Sequence, residues 1–265
     1  MDIIPVLDLA RGVAVRAQAG DRARYEPVES ALMPSAVGDA VALLRAFRAR
    51  LGATTCYIAD LDAIQGGAVQ RTMLRELAQL ETGFAGPIMV DAGAHTSEST
   101  LEVLACGASQ VVIGLETLRA FTHLAEIVRL MGEEQVIFSV DLRLGSPILH
   151  PARQDAMGAQ PDALSLAAQA VEAGVSTLLV LDLARVGTGC GADLGLIEEL
   201  RRKFPELRLL AGGGVLTPRD LDRMQDAGCD GALVASAIHA GTITATDLVE
   251  LAAEPVGAQS PSVSR

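Results

Sequence analysis

Two stretches of this sequence repeat one pattern. Val90–Gly114 aligns without a gap with the run Ala211–Ser236, in which Ala235 matches Gly114, and each reads as strand, glycine-rich turn, helix and strand. A βαβ unit duplicated in the middle and near the end of a chain predicts two related halves. We therefore expect an α/β fold, a (β/α)8 TIM barrel with an internal two-fold half-barrel repeat. Equivalent residues keep a constant offset along the chain, as in the pairs Gly93 and Gly214, Thr96 and Thr217, Gly107 and Gly228, and Gly114 and Ala235.

Short apolar runs agree with this expectation. Near-continuous hydrophobic runs, unlike alternating ones, are typical of parallel strands covered on both faces. Helical patterns, several of which end in glycine, separate the runs. Right-handed crossovers would place the carboxyl ends of all these strands on one face. The eight predicted strands are Ile3–Leu9, Thr54–Leu61, Pro87–Gly93, Gln110–Glu116, Val136–Leu142, Ser176–Leu183, Leu207–Gly213 and Gly231–Ala237.

The length of the chain favours one domain. With 265 residues and a hydrophobic content of 50%, the chain can bury the core of one large α/β domain. We predict that residues 1–253 form a single barrel domain. The closing segment Glu254–Arg265 is polar, rich in small residues and contains proline, and we predict that it is disordered.

Charge and cysteine usage narrow the partners. A net charge of −12 without a basic cluster argues against nucleic acid and anionic membranes, since both are met by basic surfaces. The cysteines form no CxxC pair, and the amino terminus carries an acid where a signal peptide is basic, so a cytoplasmic location is predicted. The scattered histidines predict no metal site. A small-molecule enzyme is the expectation, and a homo-oligomer is left open.

Carboxylates end four of the predicted strands. Asp8 ends the first strand and Asp141 the fifth, while Asp60 ends the second and Asp182 the sixth. Because TIM-barrel active sites lie at the carboxyl ends of the strands, we predict that all four rim one mouth and that Asp8 and Asp141 contact the substrate. An Asp after a strand also often caps a helix or accepts hydrogen bonds from loop amides. That alternative stays open, most of all for Asp60 and Asp182.

The second copy of the repeat predicts a phosphate site. Gly212, Gly213 and Gly214 follow the seventh strand, and Ala235 and Ser236 begin the loop after the eighth. Glycine lets the backbone approach a ligand and aim its N–H groups at a phosphate. TIM barrels commonly bind phosphate at these two loops, and the alternative is a merely flexible turn.

Taken together, these motifs resemble the HisA/HisF family of histidine-biosynthesis barrels. The resemblance runs from Ile3 to about Ala252. The opening run IIPVLDLARGVAVRAQAGD is similar to the first strand of the family and the turns after it, with Asp8, Arg16 and Gly20 in place. Counterparts of further family motifs are the runs YIADLDA, SVDLR, DLARVGTG, LLAGGGV and LVASA.

The resemblance implies an isomerase that acts on a phosphorylated small molecule without a cofactor. The isomerase member of the family performs an Amadori rearrangement, converting an aminoaldose that bears a phosphoribosyl group into the aminoketose. By position, Asp8 is expected to be the general base that moves the C2 proton, and Asp141 to assist or hold the substrate. Asp182 is a further catalytic candidate. Arg16 is expected to meet an anionic substrate group or an Asp of the mouth.

The first copy of the repeat departs from the family. The family motif VGGG becomes VDAG, with Asp91, and VG(S/T) becomes IGLE, with Leu115 and Glu116. Two like charges about 4 Å apart repel by roughly 1 to 4 kcal/mol, so no phosphate is expected here. Two alternatives stay open. An amine or another donor-rich group binds, or Asp91 and Glu116 form a local hydrogen-bonded pair.

The loop after the sixth strand also departs. Where the isomerase has T-D-x-x-(R/K)-D-G-T, this chain has LDLARVGT, so Leu181 replaces a Thr and Val186 replaces an Asp. A proton donor is therefore expected to be missing. His95 lies in the third βα loop, beside Asp91, and is a candidate replacement because histidine titrates near neutral pH.

Three functions follow from these matches and departures. The first is a diverged isomerase of the histidine pathway. The second is a different phosphosugar isomerase, lyase or condensing enzyme in cofactor synthesis, because IADLDAIQGG and VDAG look like a side branch of the family associated with one-carbon carriers. The third is a catalytically silent barrel that binds a ligand or partner subunits. The lost Thr and Asp favour the last two, whereas the intact Asp8 and Asp141 disfavour the third.

Overall fold

The protein folds into a closed barrel of eight parallel strands surrounded by helices. A computed structural model describes residues 1–16, 25–80, 87–154 and 161–253. Parallel pairing runs around the whole ring and returns from the last strand to the first, which confirms the predicted (β/α)8 TIM barrel. Gly20 and the predicted disordered tail, Glu254–Arg265, lie outside the described residues.

Eleven strands lie within the described residues, and eight of them form the ring. The strands are β1 (Asp2–Ala10), β2 (Val13–Arg16), β3 (Glu26–Pro27), β4 (Cys56–Asp60), β5 (Ile88–Asp91), β6 (Gln110–Gly114), β7 (Val136–Arg143), β8 (Ser146–Pro147), β9 (Thr177–Asp182), β10 (Arg208–Gly212) and β11 (Gly231–Val234). The ring consists of β1, β4, β5, β6, β7, β9, β10 and β11.

Helices alternate with the ring strands, and a short 3-10 turn, Glu133–Gln135, precedes β7. The helices of the described residues are α1 (Ala40–Leu51), α2 (Leu61–Ile64), α3 (Arg71–Gln79), α4 (Ser97–Leu104), α5 (Phe121–Met131), α6 (Pro151–Gln154), α7 (Ala163–Glu172), α8 (Leu194–Lys203), α9 (Pro218–Asp226), α10 (Ser236–Ala240) and α11 (Ala245–Ala253).

Several predicted strands extend too far at their carboxyl ends. The eighth, for example, was expected to reach Ala237, but β11 ends at Val234 and Ser236 already begins helix α10. Small and glycine residues at these ends leave the ladder and turn toward the following helix. The sequence patterns also do not predict β2, β3 and β8, which are short antiparallel additions at the mouth.

Two apolar layers hold the barrel together. The larger lies between strands and helices, and Phe47 and Phe138 are among its fully buried members. The smaller fills the interior of the ring, and each ring strand contributes at least one buried side chain to it, so the barrel is a packed core and not a pore. These interior side chains are Ile4, Tyr57, Met89, Val112, Ile137, Leu179, Leu210 and Leu233.

Matching local structure recurs in the two halves. Strands β1 and β7 each continue into an antiparallel hairpin strand, and both hairpin turns contain a non-glycine residue with positive φ followed by glycine. These turns are Arg11–Gly12 (φ 51° and 75°) and Leu144–Gly145 (φ 52° and 77°). Such pairs of positive φ values are typical of tight hairpin turns. The two-fold relation of the whole halves stays a prediction.

Gly107 offers a test of how closely the helices pack. Its φ of 101° and that of Gly132, 91°, are both unfavourable for alanine, but only at Gly107 would an added Cβ overlap the Ala78 methyl group. At Gly132 no atom lies within 4 Å of such a Cβ. We expect Gly107→Ala to lower the free energy of unfolding by about 1 to 3 kcal/mol more than Gly132→Ala, measured by urea denaturation. Equal losses would contradict this packing.

Candidate active site

A cavity opens at the carboxyl ends of the ring strands, above the interior layer. It encloses roughly 940 Å³, including space open to solvent. Its wall has an acidic part, two tyrosines, an apolar part and a corner of small residues. The acidic residues are Asp8, Asp91, Glu116 and Asp141, and the tyrosines are Tyr25 and Tyr57. The apolar part consists of Leu181, Leu183, Val186 and Val215, and the small residues are Gly213, Gly214, Ala235 and Ser236.

Asp8 and Asp141 face this cavity from opposite sides of the ring. Asp8 lies on β1 and Asp141 on β7, and three ring strands separate the two in either direction. Each lies just before the hairpin turn that follows its strand. Because both side chains line the same cavity, a ligand lying across the mouth can contact them together.

Asp141 is buried in acidic surroundings. It is 5% exposed, and its carboxyl group accepts hydrogen bonds from the Ser139 hydroxyl at 2.6 Å and the Glu116 amide at 3.3 Å. Burial raises its pKa to about 8, and the negative charges of Glu116 and Asp91 add to this rise, against the lowering effect of the two hydrogen bonds. At neutral pH this group is therefore mostly protonated and able to donate a proton.

Tyr57 is a second donor at this site, and the sequence analysis missed it. Its hydroxyl donates to Asp91 Oδ2 at 3.2 Å, while Asp91 Oδ1 accepts from the Gly93 amide at 3.0 Å. Burial raises the pKa of Tyr57 well above its ordinary value, and Asp91, Asp141 and Asp8 raise it further. The one signal in the sequence is that tyrosine is rare, because the chain has only 2 tyrosines. In the structure both of them line the cavity.

The small-residue corner lies where the phosphate site was predicted. Gly213, Gly214, Ala235 and Ser236 line the cavity, whereas Gly212 is the last residue of β10 and lies outside the lining. Ser236 also borders a neighbouring hollow lined by Arg16 and His239. The pKa of His239 is lowered to about 4, first by burial and then by the charge of Arg16. Arg16 thus brings positive charge toward this corner from outside the main cavity.

Asp60 and Asp182 do not belong to the lining, which corrects the prediction that four strand-end acids rim the mouth. Asp60 is fully buried and accepts from the Ala63 amide at 3.1 Å and from the amide and side chain of Gln70 at 2.7 and 2.8 Å. Asp182 accepts from the amides of Leu144 and Gly145 at 3.1 and 3.0 Å. Asp182 thereby fixes the hairpin that follows the Asp141 strand. In this structure both acids have the capping and loop-holding role that was the alternative.

Comparison with known proteins places this barrel in a family. The family model described as "Histidine biosynthesis protein" matches residues 2–244. The chain belongs to this histidine biosynthesis family. A Thermus thermophilus relative is 33% identical over 243 residues, which are 92% of this chain and 96% of the relative. It is named a 1-(5-phosphoribosyl)-5-((5-phosphoribosylamino)methylideneamino) imidazole-4-carboxamide isomerase.

Two further relatives extend the comparison. A Deinococcus radiodurans protein with the same isomerase name is 30% identical over 241 residues, covering 91% of this chain and 94% of the relative. An uncharacterised protein of Methanocaldococcus jannaschii is 27% identical over 251 residues, covering 94% of this chain and 98% of the relative. Relatives of nearly the same length as this chain therefore occur both with and without a named activity.

Apolar side chains occupy part of the mouth in this member of the histidine biosynthesis family. Leu181 and Val186, the two departures found in the sequence, both line the cavity, together with Leu183 and Val215. These four side chains therefore supply contact surface and no proton donor.

His95 does not fill the place of the missing donor in this structure. His95 is not one of the described residues that line the cavity. Its ring Nδ1 is 3.0 Å from the Gly93 carbonyl oxygen. Within the described ranges, no group of three or more His, Cys, Asp or Glu side chains is arranged to hold a metal ion. The same ranges contain no helix with the length and apolarity needed to cross a membrane.

The raised pKa of Asp141 predicts how stability depends on pH. In the unfolded chain an Asp titrates near pH 3.9, so ionisation of the folded group is penalised increasingly between about pH 4 and 8, and fully above pH 8. Below about pH 4 both states are protonated and the penalty vanishes. We expect Asp141→Asn, which has the same shape and no charge, to be more stable than the wild type at pH 9 by on the order of a few kcal/mol.

Urea denaturation of both proteins between pH 5 and 9 measures this difference. The gain from Asp141→Asn should shrink steadily as the pH falls. A gain that is constant across the range, or a loss at pH 9, would contradict the raised pKa.

Proposed function

We propose that this protein is an isomerase of the Amadori type, acting on a phosphorylated aminoaldose with Asp8 as general base and Asp141 as general acid. The observation that carries the proposal is a buried carboxyl group, Asp141, whose pKa is raised to about 8, facing Asp8 across one cavity. Two carboxyl groups that reach one ligand can serve as the acid and the base of a proton transfer.

The proposed reaction uses each group twice. Asp141 gives its proton to the ring oxygen of the substrate, the ring opens, and the nitrogen lone pair forms a C1–N iminium. Asp8 then takes the C2 proton, which produces an enaminol. Asp8 returns this proton to C1 while the C2 hydroxyl gives its proton to Asp141 and becomes the ketone, which restores both groups. Because C1 is reduced while C2 is oxidised, the reaction balances without an external oxidant or reductant, in agreement with the cofactor-free reaction expected from the sequence.

The relatives and the small-residue corner support this class of reaction. The Thermus and Deinococcus relatives are named as isomerases of a compound with two phosphoribosyl groups. In this chain, the backbone around Gly214 and Ser236 offers N–H groups to one phosphate, with Arg16 nearby. A phosphorylated substrate of isomerase chemistry fits both observations.

A second candidate keeps the barrel and changes the substrate. Leu181 and Val186 form an apolar wall where the family resemblance implies a Thr and an Asp. This favours an isomerase, lyase or condensing enzyme that acts on a different phosphorylated compound, such as one in the synthesis of a one-carbon carrier. The uncharacterised Methanocaldococcus relative is compatible with this alternative.

Genetic complementation tests whether this chain isomerises the compound of the histidine pathway. Because Leu181 and Val186 remove polar groups from the mouth, we expect this chain to restore little or no growth without histidine in a strain that lacks the histidine-pathway isomerase. The Thermus relative, expressed from the same vector, is the positive control. Growth equal to that control would establish the first candidate and exclude the second.

Replacement of Asp8 tests the proposed chemistry. Asp8→Asn keeps the shape of the side chain and removes the base, so kcat should fall by about 10² to 10⁴ while phosphate binding changes little. The assay follows ketose formation from a panel of aminoaldose monophosphates. Asp222→Asn, the same substitution at an exposed position on α9, is the matched control and should keep full activity. If Asp8→Asn retains more than about a tenth of kcat, the base is another group.

A further inference from the structure

The two glycine-rich turns of the sequence repeat lead into their helices in the same way. Gly93 after β5 and Gly214 after β10 both have positive φ, 65° and 79°. Thr96 and Thr217 then cap the following helices α4 and α9 with nearly equal angles, φ −134° and ψ 160° against φ −130° and ψ 159°, and each forms a capping box. The backbones differ one residue before the shared glycine, because Gly213 has a φ of 101° and its counterpart Ala92 does not have positive φ.

The side chain of Asp91 is one difference between the two turns. Asp91 occupies the position in the first copy that Gly212 occupies in the second. The Asp91 carboxylate accepts from the Gly93 amide at 3.0 Å. Gly212 has no side chain and so cannot accept from the corresponding amide of Gly214. In agreement with this difference, Gly214 lines the cavity and Gly93 does not belong to its lining.

The side chain of Glu116 is a second difference that disfavours an anion at the first turn. Glu116 occupies the position in the first copy that Ala237 occupies in the second, and the Glu116 side chain lines the cavity. Both Glu116 and Asp91 lie close enough to Asp141 to raise its pKa. Their negative charge therefore extends over the part of the mouth above β5, β6 and β7. An anion that approached the first turn would meet this charge in addition to an amide that already has a partner.

We propose that Asp91 is a specificity-determining residue whose carboxylate takes the place of an anion at the first turn, so that the cavity binds one phosphate, at the second turn, and selects a monophosphorylated substrate. The end of this substrate that faces Asp91 and Glu116 is neutral or cationic. This inference rests on the proposed function only where it calls the bound compound a substrate. The closed and open states of the two turns follow from the hydrogen bond of Asp91 and the lack of a side chain at Gly212.

The proposal predicts that the closed turn can be opened. The variant Asp91→Gly with Glu116→Ala removes both carboxylates and gives these two positions the residues of the second copy. The probe is inorganic phosphate, and the amide signals of Gly93 and Gly214 in a ¹H–¹⁵N NMR titration report on each turn separately. In the wild type only the Gly214 signal should respond. In the double variant both should respond, with affinity at Gly93 raised by at least about tenfold.

Two controls keep this experiment decisive. Asp222→Asn with Glu250→Gln also removes two acidic charges, from the exposed faces of α9 and α11, and should leave phosphate binding at one turn only. The Gly214 response within the double variant shows that its barrel is still folded. An equal response of both turns in the wild type or in the charge control, or no response of Gly93 in a folded double variant, would overturn the inference.

The failure of the proposed function would look different. The titration uses inorganic phosphate and involves no turnover, so its result does not depend on isomerase activity. If the phosphate count is as expected and no aminoaldose monophosphate is converted, the assigned chemistry is wrong and the role of Asp91 stands. If a bisphosphorylated aminoaldose is isomerised with both phosphates bound, the chemistry stands and the role of Asp91 is wrong.

Discussion

The ladder between β1 and β11 is the constraint on which the rest of the structure depends. It pairs Asp2 with Gly231 and Pro5 with Val234, and in doing so closes the ring. An added Cβ at Gly231 would approach the terminal methyl groups of Leu210 to 2.7 Å and Ile4 to 3.1 Å, so a larger residue at this seam would force these side chains to shift. Closure brings the strand that carries Asp8 beside β11, which ends just before Ala235 and Ser236. Asp8 and the small-residue corner are thus neighbours because the barrel is closed, although most of the chain separates them.

Much of the fold and part of the site could be predicted from the sequence. The apolar runs identify the ring strands because parallel strands covered on both faces need hydrophobic residues at nearly every position. Since all carboxyl ends then lie on one face, Asp8, Asp141 and the glycine corner could be assigned to one mouth before any coordinates. What the sequence could not supply was the protonation of Asp141, because its pKa depends on burial and on the distance to Glu116, which only the folded chain fixes.

The misplacement of Asp60 and Asp182 has a simple physical cause. In the ladders, Asp8 lies opposite Ala59 and Asp141 opposite Leu181, so Asp60 and Asp182 are each one residue out of phase with the acids that line the cavity. Successive side chains of a strand point to opposite faces, and a shift of one residue therefore turns a carboxylate away from the mouth. The register between neighbouring strands was the missing information, not the residue type.

The first turn, closed by Asp91 as proposed, would also fix the orientation in which a ligand lies in the cavity. A ring with two equal anion sites at opposite positions would accept a long substrate in either orientation, and each acid would then meet either end. With the first turn closed as proposed, only one orientation would place the phosphate at the second turn. Asp141 and Asp8 would then always meet the same atoms of the ligand. A side chain that touches no reacting atom could in this way decide which atoms of the ligand face each carboxyl group.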